Sequence, residues 1–168
     1  VLLLVAACQA PPPPEPEFTD VDRQAIVTEI ERLSLEMNEL GRPEDQEAFL
    51  SYWSTSADSY YVDEPGVFVQ GVRILPTMES FREFSDPSRW NRHSTNFTQE
   101  SSGVAVLSPE LAVQVVGGSY SVTNMEGETG PSYPLTSTTV WVREAGAWKV
   151  SHYHHSWSTT PIEEESEG

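Results

Sequence analysis

The residues best suited to chemistry are gathered in Ala147-Trp148-Lys149-Val150-Ser151-His152-Tyr153-His154-His155-Ser156-Trp157, which holds three of the chain's four histidines. The run alternates like a β-strand, and successive strand side chains point to opposite faces. On that spacing Trp148, Val150, His152, His154 and Ser156 share one face, and Lys149, Ser151, Tyr153, His155 and Trp157 share the other. The first face begins apolar and ends with two imidazoles and a hydroxyl, as a strand would when it runs from a core into a polar-lined cavity. Imidazole titrates near neutrality, so His152 and His154 are the candidate catalytic acid–base residues. The plainer reading makes both hydrogen-bonded residues of a pocket floor. His155 is expected to face outward or toward a second copy. Two imidazoles two residues apart could also chelate zinc, copper or iron, with His93 or Glu100 completing the set. There is no cysteine pair and no HExxH spacing, and no metal is expected.

Carboxylates are poorly placed for proton transfer. Between Arg92 and the acidic terminus the acids are Glu100, Glu110, Glu126, Glu128 and Glu144, and only Glu100 falls mid-strand. Asp58 precedes a strand and reads as a cap or turn residue. No Gly-x-Ser-x-Gly elbow, phosphate loop or dinucleotide fingerprint occurs. Gly117-Gly118 reads as a bulge or bend. Aromatic residues are the second theme. Trp53, Tyr61, Trp90, His93, Tyr120 and Ser156 are expected to line a pocket, subject to strand register, since a slip of one residue reverses every face.

The elements that must position these groups follow from hydrophobic period and turn signals. Thr19 or Asp20 caps a helix in which Ile26, Ile30, Leu33 and Met37 recur at helical spacing, widened by Val27 and Leu40 and ended by Gly41. Pro43-Glu44-Asp45 opens a second, shorter helix through Phe49, Leu50 and Trp53, forming a helical hairpin with the first. Ser59-Tyr60-Tyr61-Val62 reads as a strand, Asp63-Glu64-Pro65-Gly66 as a turn and Val67-Phe68-Val69 as a short strand. Pro76 starts a third helix with Met78, Phe81 and Phe84 inward, closed by Asp86-Pro87. Beyond Trp90, long strands at about 92–107, 111–125, 133–144 and 147–157 are joined by short turns, which predicts an antiparallel meander. Helices followed by a meander predict an α+β fold with the helices packed on one face of a curved sheet, leaving a cone with an open end.

The chain has 168 residues, and 26 Asp+Glu against 9 Lys+Arg give a formal charge of -17. That balance excludes a nucleic-acid partner, whose phosphates need cations, and a polybasic membrane patch. Residues 1–8 read as the end of a lipoprotein signal peptide, with Val5-Ala6-Ala7 before Cys8 as the lipidation site. Cys8 is the only cysteine, so no internal disulfide can form. Residues 9–18, rich in proline, form an extended tether. The domain is expected over 19–158 and an acidic tail over 159–168. Gln9 after the cysteine points to the periplasmic face of a bacterial outer membrane, because aspartate there is the usual retention signal in the lipoproteins this start resembles. Asn96-Phe97-Thr98 matches a glycosylation sequon that such a lipoprotein would not use.

Four local patterns in this order resemble the SnoaL-like branch (SnoaL-3 and DUF4440 type) of the nuclear-transport-factor-2-like (NTF2-like) superfamily. They are Leu50-Ser51-Tyr52-Trp53 leading to Ala57-Asp58-Ser59-Tyr60-Tyr61-Val62; Val69-Gln70-Gly71-Val72-Arg73; Leu107-Ser108-Pro109-Glu110-Leu111-Ala112-Val113; and Gly146-Ala147-Trp148-Lys149-Val150 followed by His152, His154 and Ser156. The resemblance covers about residues 20–158 and implies an NTF2-like cone of about three N-terminal helices on a strongly curved antiparallel sheet. It also implies a homodimer formed through the outer sheet face. Enzymes of the superfamily pair buried carboxylates with tyrosine, histidine or arginine, a pattern this chain does not visibly supply. The expectation is therefore a membrane-tethered, exported domain binding a small, mainly apolar molecule, without a cofactor. An isomerase- or hydrolase-type enzyme with a histidine proton shuttle is the first alternative, and a structural or dimerisation module with a filled pocket is the second. Fold alone does not choose between them.

Overall fold

The computed structural model describes residues 17–40, 45–55, 60–65, 73–75 and 92–162, with backbone placement alone at 60–65, 73–75, 92 and 93. Cys8, Asp58, Trp90, the 67–69 strand, the third helix from Pro76 and the glutamates after Ile162 lie outside the described residues. So does most of the tether.

Helix α1 (Asp20–Glu39) starts where Thr19 and Asp22 cap one another. The Thr19 hydroxyl accepts the Asp22 N–H at 3.2 Å, and the Asp22 carboxylate accepts the Thr19 N–H at 2.9 Å. This reciprocal pair satisfies two donors that a helix start otherwise leaves open. Ile26, Ile30, Ser34 and Met37 form its buried stripe, close to the expected one. Arg23 ties the helix to the sheet, its Nη1 donating to the Val106 carbonyl at 2.8 Å. Helix α2 (Gln46–Leu50) is shorter than the sequence suggests. It stops before Trp53 because the backbone there is committed elsewhere. Val150 N–H donates to Tyr52 O and Ser54 N–H to Val150 O, both at 2.8 Å, which fixes Trp53 in an isolated parallel bridge.

The strands are β1 (Tyr60–Pro65), β2 (Arg73–Leu75), β3 (Arg92–Ser108), β4 (Leu111–Asn124), β5 (Tyr133–Glu144) and β6 (Ala147–Trp157), in the order β2-β1-β6-β5-β4-β3. The four long strands form the expected antiparallel meander. Two features were not anticipated. β1 pairs with β6 in parallel and runs through Asp63-Glu64-Pro65, where a turn was expected, and Arg73–Leu75 adds an antiparallel strand beside it. The β5–β6 hairpin turns on Ala145 and Gly146, both with positive φ (49° and 85°), which matches the twist of the flanking strands.

Bulges curve the sheet. In β3, Glu100 is an extra residue between the Gln99–Gly118 and Ser101–Gly117 pairs. The strands close up there, and a Cβ at Gly118 would lie 2.0 Å from the Thr98 carbonyl oxygen, so the position requires glycine. Such bulges bend a strand and increase its twist. The hydrophobic core lies on one face, where Ile26, Ile30 and Met37 of α1 meet Leu50, Trp53, Ala112, Trp141, Trp148 and Val150. The architecture is the expected α+β cone.

Candidate functional site

Strand β5 defines the two faces. Leu135, Ser137, Thr139 and Trp141 are buried toward the helices, and the residues between them are exposed or half-buried on the convex side. Trp141 pairs with Val150, but Val140 pairs with His152, so Ser151 is an extra residue in β6. Beyond it Thr139 pairs with Tyr153, Ser137 with His155 and Leu135 with Trp157. Directly paired residues share a face. His155 therefore stands on the concave face, while His152, His154 and Ser156 pair with Val140, Thr138 and Thr136 on the convex one. Ring contacts agree: Tyr153 lies 6.0 Å from Trp53, 5.5 Å from His155, and Trp157 lies 5.8 Å from Tyr120, centroid to centroid. The simple alternation expected of this strand thus holds only to Val150. The bulge sits where the edge of β6 changes partner, from residues 52–54 at Val150 to β1 at His152.

The concave face is built in rungs. Its closed end is apolar, with Ala112, Trp141 and Val150 fully buried beneath Ile30. The next rung is Val104, Gln114, Thr139 and Tyr153. There the Trp141 indole Nε1 donates to Gln114 Oε1 at 3.1 Å, and Gln114 Nε2 donates to Ser102 Oγ at 3.1 Å, a chain across three strands. The third rung is Ser102, Val116, Ser137 and His155, and the fourth is Gln99, Gly118, Leu135 and Trp157. Tyr120 and Tyr133 form the rim with Trp157, their centroids 5.8–6.3 Å apart. Gln99 Oε1 is buried with no hydrogen-bond partner. The parallel register sets Asp63 opposite His155 and Tyr61 opposite Tyr153.

Of the pocket residues expected from sequence, Tyr120 reaches the concave rim. Trp53 belongs to the packed closed end, and Ser156 lies on the convex side with His152 and His154. His93 occupies a register shift at the start of β3. Glu100 is exposed at its bulge. Among the described residues no group of three or more His, Cys, Asp or Glu side chains could hold a metal, and no helix is long and apolar enough to cross a membrane. The concave residues not anticipated are His155, Gln99, Gln114 and Ser137. Gln114 had a signal, because in Ala112-Val113-Gln114-Val115-Val116 it shares a face with Ala112 and Val116. Ser137 and Gln99 had none.

No family model and no curated protein sequence matches this chain. Solved structures do match its shape. A candidate scytalone dehydratase from Novosphingobium aromaticivorans aligns with a TM-score of 0.68 at 10% identity, covering 88% of this chain and 94% of that one. An NTF2-like protein of unknown function from Pseudomonas putida aligns with a TM-score of 0.61 at 18% identity, covering 86% and 93%. The fold is NTF2-like. A hexachlorocyclohexane dehydrochlorinase, LinA-type3 from Novosphingobium barchaimii, shares it at a TM-score of 0.65 and 16% identity, covering 86% of this chain and 94% of that one. At such identities the likeness concerns the NTF2-like backbone, and the chemistry must be argued from this chain's own side chains.

Proposed function

We propose that the concave face binds a small, mainly apolar molecule between the aromatic rim and the polar middle rungs. One observation carries this reading. Gln99, Ser137, Thr139 and His155 occupy inward positions of the cone, where a merely structural core would place aliphatic side chains because desolvating polar groups is costly, and the buried Gln99 Oε1 has no hydrogen-bond partner. Thr139 and Ser137 are 2% and 4% exposed. The apolar closed end supports the fold, and the polar rungs supply orientation. A thermal-shift screen against a broad library of small apolar molecules tests the reading. Compounds that raise the melting temperature of the parent protein should lose that effect in His155→Ala and keep it in His152→Ala. A parent protein that no compound stabilises, with a cooperative melt, supports the structural alternative instead.

A second reading has its own observation. The β1–β6 backbone register pairs Asp63 with His155, and a histidine proton shuttle needs a carboxylate beside it. A dehydrochlorinase is among the proteins with this fold. In this reading His155 takes the role first expected of His152 and His154. If it holds, Asp63→Asn lowers turnover of a compound found in the screen while its affinity is retained; unchanged turnover removes it.

Cys8 as a lipid anchor, the tether over 9–18 and the periplasmic face of an outer membrane belong to the same proposal and rest on the sequence pattern. Globomycin-sensitive labelling of the native protein with a fatty-acid analogue, lost in Cys8→Ala, tests the anchor. A homodimer would use the convex face, where Val115, 47% exposed, adjoins Val113 and Val140. A monomer in sedimentation analysis at working concentration would remove it.

A further inference from the structure

We infer that Gln99 sets the class of molecule the concave site accepts: a neutral, flat compound presenting a hydroxyl or N–H donor to Gln99 Oε1. The inference rests on the binding reading above and adds the ligand's chemistry to it. Buried side-chain oxygens are rarely left without a donor, because desolvation is then uncompensated. Gln99 Oε1 is such an atom, buried and unpartnered. The other concave glutamine provides the contrast. Gln114 receives the Trp141 N–H and donates to Ser102, so both ends of its amide are used by the protein. Gln114 holds strands together, whereas the Gln99 acceptor is left for something else.

Position says what that would be. Gln99 shares a rung with Leu135 and Trp157, and the next residues outward on this face are Phe97, Tyr120 and Tyr133. A planar molecule resting on the rim would bring an edge substituent to the Gln99 amide. The bulge at Glu100 re-aims the strand just after Gln99 and leaves Glu100 itself exposed, outside the site. Charge then narrows the class. The rungs from Phe97 to Val104 and their partners on β4, β5 and β6 carry no Lys or Arg among the described side chains, and the chain's formal charge is -17. An anion finds neither a local cation nor a favourable field.

Ligand-observed NMR titrations with four ring systems of similar size test the inference on the intact protein. Indole offers an N–H; 1-methylindole blocks it, benzofuran replaces it with an acceptor oxygen, and indole-5-carboxylate adds a charge. Indole should bind about five- to tenfold more tightly than 1-methylindole or benzofuran, the effect of one hydrogen bond to an otherwise unsatisfied group. The carboxylate should bind weakest. Gln99→Met keeps the side-chain length without the acceptor. It should fold with an equal or higher melting temperature and bind the three neutral compounds alike. Equal affinities in the parent protein, or a preference for indole that survives in Gln99→Met, overturn the inference and leave the binding site standing. Absence of binding by all four compounds, with the protein folded, overturns both.

Discussion

Gln114 ties three strands together beside the packed end of the cone. Its amide joins the fully buried Trp141 on β5 to the half-buried Ser102 on β3. Gln114→Leu fills similar space but leaves the Trp141 indole N–H buried without an acceptor, so it should cost about 1–3 kcal/mol in urea unfolding. A loss below about 0.5 kcal/mol would show that the indole finds another partner or that water reaches it. At this scale the sequence was half legible. The spacing of the histidines points to His152 and His154, whereas the imidazole on the concave face is that of His155. Tyr120 stands at the concave rim, and Trp53 packs in the closed end. Gln99 and Ser137 could not be identified, because a polar residue in a strand looks alike on either face until register is known.

Register is a property of elements, and Ser151 shows why it escaped the sequence. A bulge adds one residue and flips every side chain beyond it, yet nothing in Val150-Ser151-His152 marks it with Gly or Pro. Its cause is tertiary: the edge of β6 exchanges the 52–54 segment for β1 at that point. The bulge at Glu100 has a signal in the opposite strand, where Gly117-Gly118 reads as a bulge or bend. Local chemistry was legible where it was self-contained, as at the start of α1. There the Thr19 hydroxyl and backbone hydrogen bonds hold the Asp22 carboxyl below its ordinary 3.8. A carboxyl with a lowered folded value stabilises the fold above its unfolded value, and that contribution disappears as pH falls through the folded one. Thr19→Ala should therefore lower stability at neutral pH, with a smaller difference in strong acid, where Asp22 is protonated in both proteins. A difference between the two urea curves that is the same at pH 7 and at about pH 2 would contradict this account of the cap.

At the scale of the whole molecule, the order of elements was enough to recognise an α+β cone. Helices followed by four long strands with short turns have few compact solutions, and an apolar helix stripe must bury itself against one sheet face. What the order could not supply was the parallel β1–β6 pairing, which depends on contacts distant in sequence. That pairing sets Asp63 opposite His155. The cone is closed by aliphatic and indole packing at one end, and toward the other it carries polar rungs and an aromatic rim. In the proposed function this inner face, with His155 and not His152 or His154, receives a small molecule. The most direct measurement is a heteronuclear NMR titration of histidine-labelled protein, its side-chain signals assigned by single substitutions, with a compound that raises the melting temperature. The His155 imidazole signals should shift with ligand while those of His152 and His154 stay in place. Shifts confined to His152 and His154, with His155 unmoved, would contradict it.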